Sequence, residues 1–330
     1  MRWRALIFAE IAMLLASTAW LAGCITINAI GSQREFLVES VVHGEEGPKI
    51  LLVEIDGEIS DVDFSGAFGI AERESTTARL REQLDRAREQ GDIRALLLRI
   101  NSPGGSVTAS DIIYHELLRF KEEQKIPVVA ELMGVAASGG YYAAMAADEV
   151  IAHPTTVTGS IGVLFSGVNF AGLMEKVGIE DQTLTSGAFK DSGSPLREMT
   201  PEERAQLQSV IDDFYLRFRK VVADGRGLSD MQLDTAADGR VFTALQALDK
   251  KLIDRVGYLE DAVKAAEKRA GLPASRVVSY HRPREWRENL YFRADATPPE
   301  FSPALWRRLW SAQRPAGFYY LWLPIPGQPF

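Results

Sequence analysis

The sequence predicts an α/β layered protein, and three observations carry that reading. Short, nearly continuous apolar runs at 50–55 and 93–100 are bounded by turn residues, as strands buried on both faces should be. Between them, residues 76–90 carry their apolar positions on one side of a charged helix, which makes a β, α, β alternation. The composition, 46% hydrophobic and 25% charged over 330 residues, is that of a folded globular chain and excludes a disordered or collagen-like one. Length alone leaves one large domain or two.

At the N-terminus, Arg2 and Arg4 precede an apolar stretch from 5 to 23, interrupted only by Glu10, Ser17 and Thr18. That length approaches a bilayer span of about 20 residues. Two readings follow: an uncleaved signal anchor with the arginines inside, or a cleaved signal peptide. Leu21-Ala22-Gly23-Cys24 resembles a bacterial lipobox, in which the cysteine is lipid-modified and becomes the new N-terminus. Glu10 favours cleavage, since an acid at the centre of a permanent span costs about 2.5–3.5 kcal/mol. Both readings place the remaining chain outside the cytoplasmic membrane and tethered to it.

Residues 31–48 read as a polar lead-in that ends at Gly44-Glu45-Glu46-Gly47-Pro48. The α/β alternation continues beyond 100 with a helix after Gly105, a strand at 127–133 and an Ala-rich helix after Ser138. Strands near 149–152 and 160–164 come next. Thr200-Pro201-Glu202-Glu203 supplies an N-cap, a first-turn proline and a capping-box glutamate. Leu207, Val210, Ile211, Phe214, Phe218, Val221 and Val222 then recur at helical spacing, which predicts a long helix with one buried stripe. Past about 270, prolines at 283, 298, 299, 303, 315, 324, 326 and 329 break regular structure. This tail carries Trp306, Trp310, Phe318, Tyr319, Tyr320 and Trp322, so it should dock on something apolar: the domain, a neighbouring subunit or the membrane interface. The expected organisation is a signal or anchor at 1–24, a linker at 25–48, a catalytic domain at 49–271 and the tail at 272–330.

Charge and composition narrow the chemistry. With 37 basic and 45 acidic residues the net charge is −8, without the basic patch that nucleic-acid binding requires. Cys24 is the only cysteine, which rules out an intramolecular disulfide and a cysteine-based zinc site. His43, His115, His153 and His281 show no metal-ligand spacing, so neither a metal nor another cofactor is expected.

Two glycine-rich turns follow predicted strands. Asn101-Ser102-Pro103-Gly104-Gly105-Ser106 can point N–H groups into open space, which suits an anion or a developing oxyanion. Gly134-Val135-Ala136-Ala137-Ser138-Gly139-Gly140 places a serine between a strand and a helix, among residues too small to shield it. That layout resembles a nucleophile elbow, although a plain helix N-cap serine reads equally well. A serine nucleophile needs a base. His153 reads as structural, His115 lies within a helix, and His43 and His281 lie outside the compact region, so a Ser-His-Asp triad has no histidine. A lysine serves instead if removal from water brings its pKa from about 10.4 toward 7. Lys190, in the small-residue loop Thr185-Ser186-Gly187-Ala188-Phe189-Lys190-Asp191, is one candidate, whereas Lys121, Lys125 and Lys220 read as solvated.

Ser102-Pro103-Gly104-Gly105, Ala137-Ser138-Gly139-Gly140-Tyr141-Tyr142, Thr158-Gly159-Ser160-Ile161-Gly162, Phe189-Lys190-Asp191 and Asp238-Gly239-Arg240-Val241-Phe242-Thr243 resemble, in order and spacing, the signal peptide peptidase A family of membrane-bound Ser/Lys proteases. The resemblance covers about 50–271 and is closest to the short, single-copy form. It implies the superhelical ββα fold shared with Clp proteases and crotonases. It implies Ser138 as nucleophile, Lys190 as general base, Ser160 as a hydrogen-bonding support of the lysine amine, and N–H groups of Gly139 and the Gly104/Gly105 turn as oxyanion hole. It also implies oligomers with apolar grooves that take remnant signal peptides, on the periplasmic side of a bacterial cell membrane. Whether serine and lysine meet within one chain or between two stays open.

The lipobox departs from the family's usual transmembrane anchor, and Lys251 stands where the pattern suggests a helix-end glycine. The aromatic tail after about 294 lies outside the resemblance. Two rival readings are an inactive membrane scaffold on the same fold and a crotonase-like acyl-CoA enzyme, in which Ser138 and Lys190 would have no purpose.

Overall fold

The computed structural model describes residues 35–65, 72–283, 290 and 317–322. Its strands are β1 (Val38–His43), β2 (Lys49–Asp56), β3 (Phe64–Ser65), β4 (Glu72–Arg73), β5 (Ile93–Ser102), β6 (Gly104–Ser106), β7 (Val128–Ala137), β8 (Glu149–Ala152), β9 (Val157–Gly159), β10 (Leu164–Ser166), β11 (Val241–Thr243), β12 (Arg255–Val256), β13 (Arg276–His281) and β14 (Gly317–Leu321). Its helices are α1 (Thr76–Gln90), α2 (Val107–Gln124), α3 (Gly139–Ala144), α4 (Ala171–Val177), α5 (Pro201–Arg226), α6 (Asp230–Asp234), α7 (Ala244–Asp249) and α8 (Leu259–Ala270).

The main sheet runs in the order β1-β13-β2-β5-β7-β8-β12, with β9 pairing the far end of β7 and β11 pairing β9. From β13 to β12 the neighbours are parallel, so helices must cover both faces. Strand alternation sorts the side chains. Leu51, Val53, Leu96, Leu98, Ala130 and Leu132 face a core closed by α1, α2, α3 and α5, while Ile50, Leu52, Ala95, Leu97 and Val129 face α8. A one-residue slip in any of these strands would exchange the two sets.

The ends of the helices follow their local sequence. Ser75 and Ser106 each accept a hydrogen bond from the backbone three residues on, capping α1 and α2. Thr200 and Glu203 form the expected capping box with Pro201 in the first turn, and α5 stops at Gly227 in a left-handed conformation. The predicted stripe of α5 is covered only in its C-terminal half, where Phe218, Val221 and Val222 are buried. Leu207, Val210 and Ile211 stay partly exposed.

Several elements differ from the sequence expectation. The sheet extends past 49–271 at both ends: β1 lies inside the stretch read as a polar lead-in, antiparallel to β13 with Val38 opposite His281. An edge strand needs backbone pairing on one side only, so β1 shows no apolar run. His281 is therefore buried in the sheet, its Nε2 2.9 Å from Ser40 Oγ, and does not lie outside the compact region. The strand expected at 127–133 continues to Ala137, and the one expected at 160–164 is two short strands, β9 and β10, separated by a left-handed Ser160. In the aromatic tail, β14 docks on the domain, between β10 and β6. No helix among the described residues is long and apolar enough to cross a membrane. The expected signal or anchor at 1–24, with Cys24, lies outside the described residues.

Candidate active site

Strand β7 ends at Ala137 and α3 begins at Gly139, so Ser138 alone makes the strand-to-helix turn. Its backbone sits at φ 52°, ψ −116°, a conformation like the first central position of a type II′ turn, where glycine is favoured. The turn is held from both sides: Ser138 N–H donates to Gly159 O at 2.8 Å, and Ser138 O accepts from Tyr142 N–H at 2.8 Å. Ser138 holds the N-cap position of α3, but its side chain makes no capping hydrogen bond. Its Oγ is buried with no hydrogen-bond partner, a state that costs about 1–3 kcal/mol.

The two glycine turns meet at this elbow with backbone alone. A Cβ on Gly139 would stand 2.3 Å from Ser110 Oγ and 3.1 Å from Gly104 Cα, and one on Gly105 would stand 1.9 Å from Ile59 O. Any side chain there would force the turns apart. Ser102, fully buried, donates from Oγ to Gly57 O at 2.6 Å and accepts from Gly104 N–H at 3.1 Å. Gly104 N–H is thereby engaged within the turn. Ile59 N–H donates to Gly104 O at 2.8 Å, and Ser106 N–H donates to Ile59 O at 3.1 Å. Both groups face Ile59, so the alternation of an extended strand turns Gly105 N–H the other way, toward Tyr320 of β14. Gly139 N–H, at the first position of α3, has no intrahelical acceptor. Gly105 and Gly139 are thus the pair of donors that the fold offers.

Ser160 follows β9 and is also brought next to the elbow, because Gly159 O is the acceptor for Ser138 N–H. It is buried, with φ 50°, and its N–H donates to Arg240 O at 2.8 Å. The 238–243 motif has its explanation here: β11 pairs β9, with Val241 opposite Gly159. A Cβ on Gly159 would lie 2.7 Å from the Phe242 ring, so this segment clamps the strand that leads to Ser160.

Lys190 is not brought to this cluster. It is exposed in a loop of turns, its N–H donating to Gly187 O at 3.1 Å, and its amine has no partner among the described residues. The loop is nevertheless anchored. Arg197 donates to Asp191 Oδ2 and Oδ1 at 2.7 and 2.8 Å, and to Glu203 Oε2 at 2.9 Å. The guanidinium, with help from Thr200 N–H, holds the Glu203 carboxyl down to about 2. The loop is thus tied to the N-terminus of α5, and it presents Lys190 outward.

Sequence reasoning missed Ser102 as the organiser of the Gly104 turn, although a second serine in a motif already singled out was a usable signal. It also missed the floor beneath the elbow. Tyr142 donates to Asp111 Oδ1 at 2.6 Å, and Arg217 donates to the same oxygen at 2.6 and 2.9 Å. Burial, followed by the bond to Asp111, pushes the Tyr142 phenol up, so it stays a neutral donor. These residues come from three helices, and no local spacing could reveal the set.

Two family models match the chain: peptidase family S49 over residues 120–273 and Clp protease over residues 69–158. The chain is 35% identical over 246 residues to the Enterococcus faecium protein named "Putative signal peptide peptidase SppA", covering 74% of this chain and 71% of that one. It is 35% identical to "Serine protease SPPA, chloroplastic" of Arabidopsis thaliana, covering 70% of this chain and 34% of that one. It is 33% identical to "Protease 4" of Haemophilus influenzae, covering 70% and 36%. The Clp protease match and the mixed sheet with helices on both faces agree on a ClpP-like fold. With an elbow serine, paired glycine donors and these relatives, the chain belongs to peptidase family S49, the signal peptide peptidase A family of serine proteases.

Proposed function

We propose that this chain is a membrane-tethered serine endopeptidase with a Ser/Lys dyad that cleaves apolar peptides, such as remnant signal peptides released from secreted proteins. The observation that carries the proposal is the Ser138 elbow: a strained, buried hydroxyl without a partner, beside two backbone donors that no side chain can occupy. Ser138 Oγ attacks the peptide carbonyl while a neutral Lys190 amine takes its proton. The oxyanion is received by Gly105 and Gly139 N–H. Lys190 then returns the proton to the leaving amine, and water hydrolyses the acyl-enzyme by the same route.

A neutral amine must be removed from water, and in the single chain Lys190 is exposed. The chemistry therefore calls for a second copy that covers the Lys190 loop and receives its amine. The surface around that loop supports this: Val168, Leu173, Val177, Ile179, Leu184 and Phe189 are exposed, and α4 buries none of its residues. Ser160, next to the elbow, is the group to hold an arriving amine. The 1–24 segment supplies the tether, as a lipid-modified Cys24 or as an anchor, and places the catalytic domain on the periplasmic side of a bacterial membrane.

The test is cleavage of an unstructured apolar peptide by the wild type, Ser138→Ala, Lys190→Ala and a mixture of the two variants. Each variant alone is inactive. Mixing restores about a quarter of the sites if each pairs Ser138 of one copy with Lys190 of its neighbour. Activity that survives Lys190→Ala refutes the dyad, and a mixture without activity places the dyad within one chain.

A further inference from the structure

Helix α3 is short, and the candidate chemistry depends on how it is turned. Gly139 N–H is its first donor, and Ser138 is the turn that leads into it. Six residues are too few for a helix to hold itself, so its rotation about its own axis is set by what it packs against. One side cannot set it. A Cβ on Gly139 would stand 3.1 Å from Gly104 Cα, and one on Gly140 would stand 2.7 Å from Ser102 O. That side meets the 102–104 turn with backbone alone. The contact fixes how near α3 lies, but it has no side chains to interlock and fix the rotation.

Tyr141 and Tyr142 close the motif that begins at Ala137, and the proposed chemistry leaves them without a role. Both are fully buried. Consecutive helix residues project about 100° apart, so the two rings reach different neighbours. Tyr141 donates from its hydroxyl to Leu252 O at 2.6 Å, in the segment between α7 and β12. Tyr142 donates to Asp111 Oδ1 on α2 at 2.6 Å. Apolar packing of the rings is non-directional, whereas a hydrogen bond weakens steeply as it leaves its line. Burial pushes both phenols up, so each stays a neutral donor. Two such bonds at different angles about one axis fix the rotation of α3. Tyr142 N–H, donating to Ser138 O at 2.8 Å, carries that setting into the elbow.

We propose that Tyr141 and Tyr142 are positioning residues, whose hydroxyl bonds to Leu252 O and Asp111 pin the rotation of α3 and so aim Ser138 Oγ and Gly139 N–H at one peptide carbonyl. The proposal rests on the reading of Ser138 as nucleophile. A misplacement of about 1 Å costs up to about a hundredfold in rate, and a loosened short helix supplies such a shift. The cost falls on the transition state, because Gly139 N–H meets an oxyanion only there. Tyr142→Phe isolates the bond, since Asp111 Oδ1 keeps its contacts from Arg217 at 2.6 and 2.9 Å.

The experiment uses the full chain and an unstructured apolar peptide, with competent sites counted by fluorophosphonate labelling of Ser138. Tyr141→Phe and Tyr142→Phe should each lower kcat per labelled site by about ten- to a hundredfold and leave KM within about threefold. The aldehyde of the same peptide, which forms a tetrahedral adduct on Ser138, should bind each variant more weakly by the factor that kcat/KM loses. Asp111→Asn keeps the acceptor and should retain most of the wild-type kcat. A purely structural role lowers Tm and the number of labelled sites with kcat per site unchanged, and that result overturns the proposal. Hydrogen exchange over 138–144 reads the two bonds without the chemistry. Exchange should quicken in both phenylalanine variants, and exchange as slow as in the wild type overturns the proposal as well. A wild type that neither cleaves nor takes the label refutes the protease reading, and the exchange result then decides on its own whether the hydroxyls pin α3.

Discussion

Replacing Ser138 tests whether the elbow stores energy that the fold supplies from elsewhere. Two costs are visible in the wild type: a buried hydroxyl oxygen without a partner, and a non-glycine residue at φ 52°, ψ −116°. The first is worth about 1–3 kcal/mol, and the second also lies in a range of about 1–3 kcal/mol. Ser138→Ala removes the hydroxyl and leaves the backbone strain, so it should stabilise the folded chain by about 1–3 kcal/mol. Ser138→Gly also releases the strain, but it adds about 0.5–1 kcal/mol of backbone entropy cost. It should therefore exceed the alanine variant by about 1 kcal/mol. For a domain of this size 1 kcal/mol moves Tm by about 2–4 °C. The alanine variant should melt roughly 2–12 °C above wild type, and the glycine variant a few degrees higher still. Scanning calorimetry at one protein concentration and one scan rate reads the difference, since assembly and irreversible unfolding both move an apparent Tm. Both variants should be inactive. An alanine variant that melts below wild type would show that the hydroxyl is satisfied, and a glycine variant below alanine would show that the turn is unstrained.

Other expectations concern residues around and beyond the site. Gly104→Ala puts a Cβ 2.0 Å from Tyr320 O and 2.6 Å from Gly139 N at φ 98°, so it should cut kcat/KM by roughly a hundredfold or more, as loss of an oxyanion donor does; near-normal kinetics would contradict this geometry. Glu131 is fully buried with both carboxylate oxygens unpartnered, and burial, then the charge of Asp261, pushes its carboxyl from 4.5 up to about 9. It is protonated when folded and ionises on unfolding, so its contribution is full below pH 4.5 and is lost as pH rises toward 9. The slope is about 1.4 kcal/mol per pH unit. Glu131→Gln should remove that slope, which denaturant titrations of both proteins at pH 5 and pH 7 would detect as a difference of about 2–3 kcal/mol. Lys251 sits at φ 60°, and Lys251→Gly should raise stability by about 1 kcal/mol with unchanged cleavage. Arg197→Ala frees the Lys190 loop from α5, and limited proteolysis should then cut within 186–196 much faster than in the wild type.

Much of the fold is written in local pattern. The runs 50–55 and 93–100 became β2 and β5 because a strand buried on both faces has no position for a polar residue. The Thr200 box and Pro201 began α5 because capping is settled within four residues. The serine at the strand-to-helix turn was legible for the same reason: only small neighbours permit that turn, and small neighbours show in sequence. Edge strand β1 and the sheet position of His281 were not legible, because an edge strand is stabilised by a partner distant in the chain and carries no apolar signature of its own. The covered half of the α5 stripe could not be told from the exposed half, since both have the same periodicity.

The sequence by itself determined the family, the α/β layering, the elbow serine, the two glycine turns and the lysine loop as separate parts, because each depends on residues within a few positions of one another. Only the tertiary structure decided how those parts stand in space. It sets Gly105 and Gly139 together as donors while Ser102 takes up Gly104, it uses the 238–243 segment to clamp the strand before Ser160, and it leaves Lys190 facing outward. It also lays Tyr320 across the glycines. These are contacts between groups tens to hundreds of residues apart, set by strand pairing and close packing, and no local pattern encodes them.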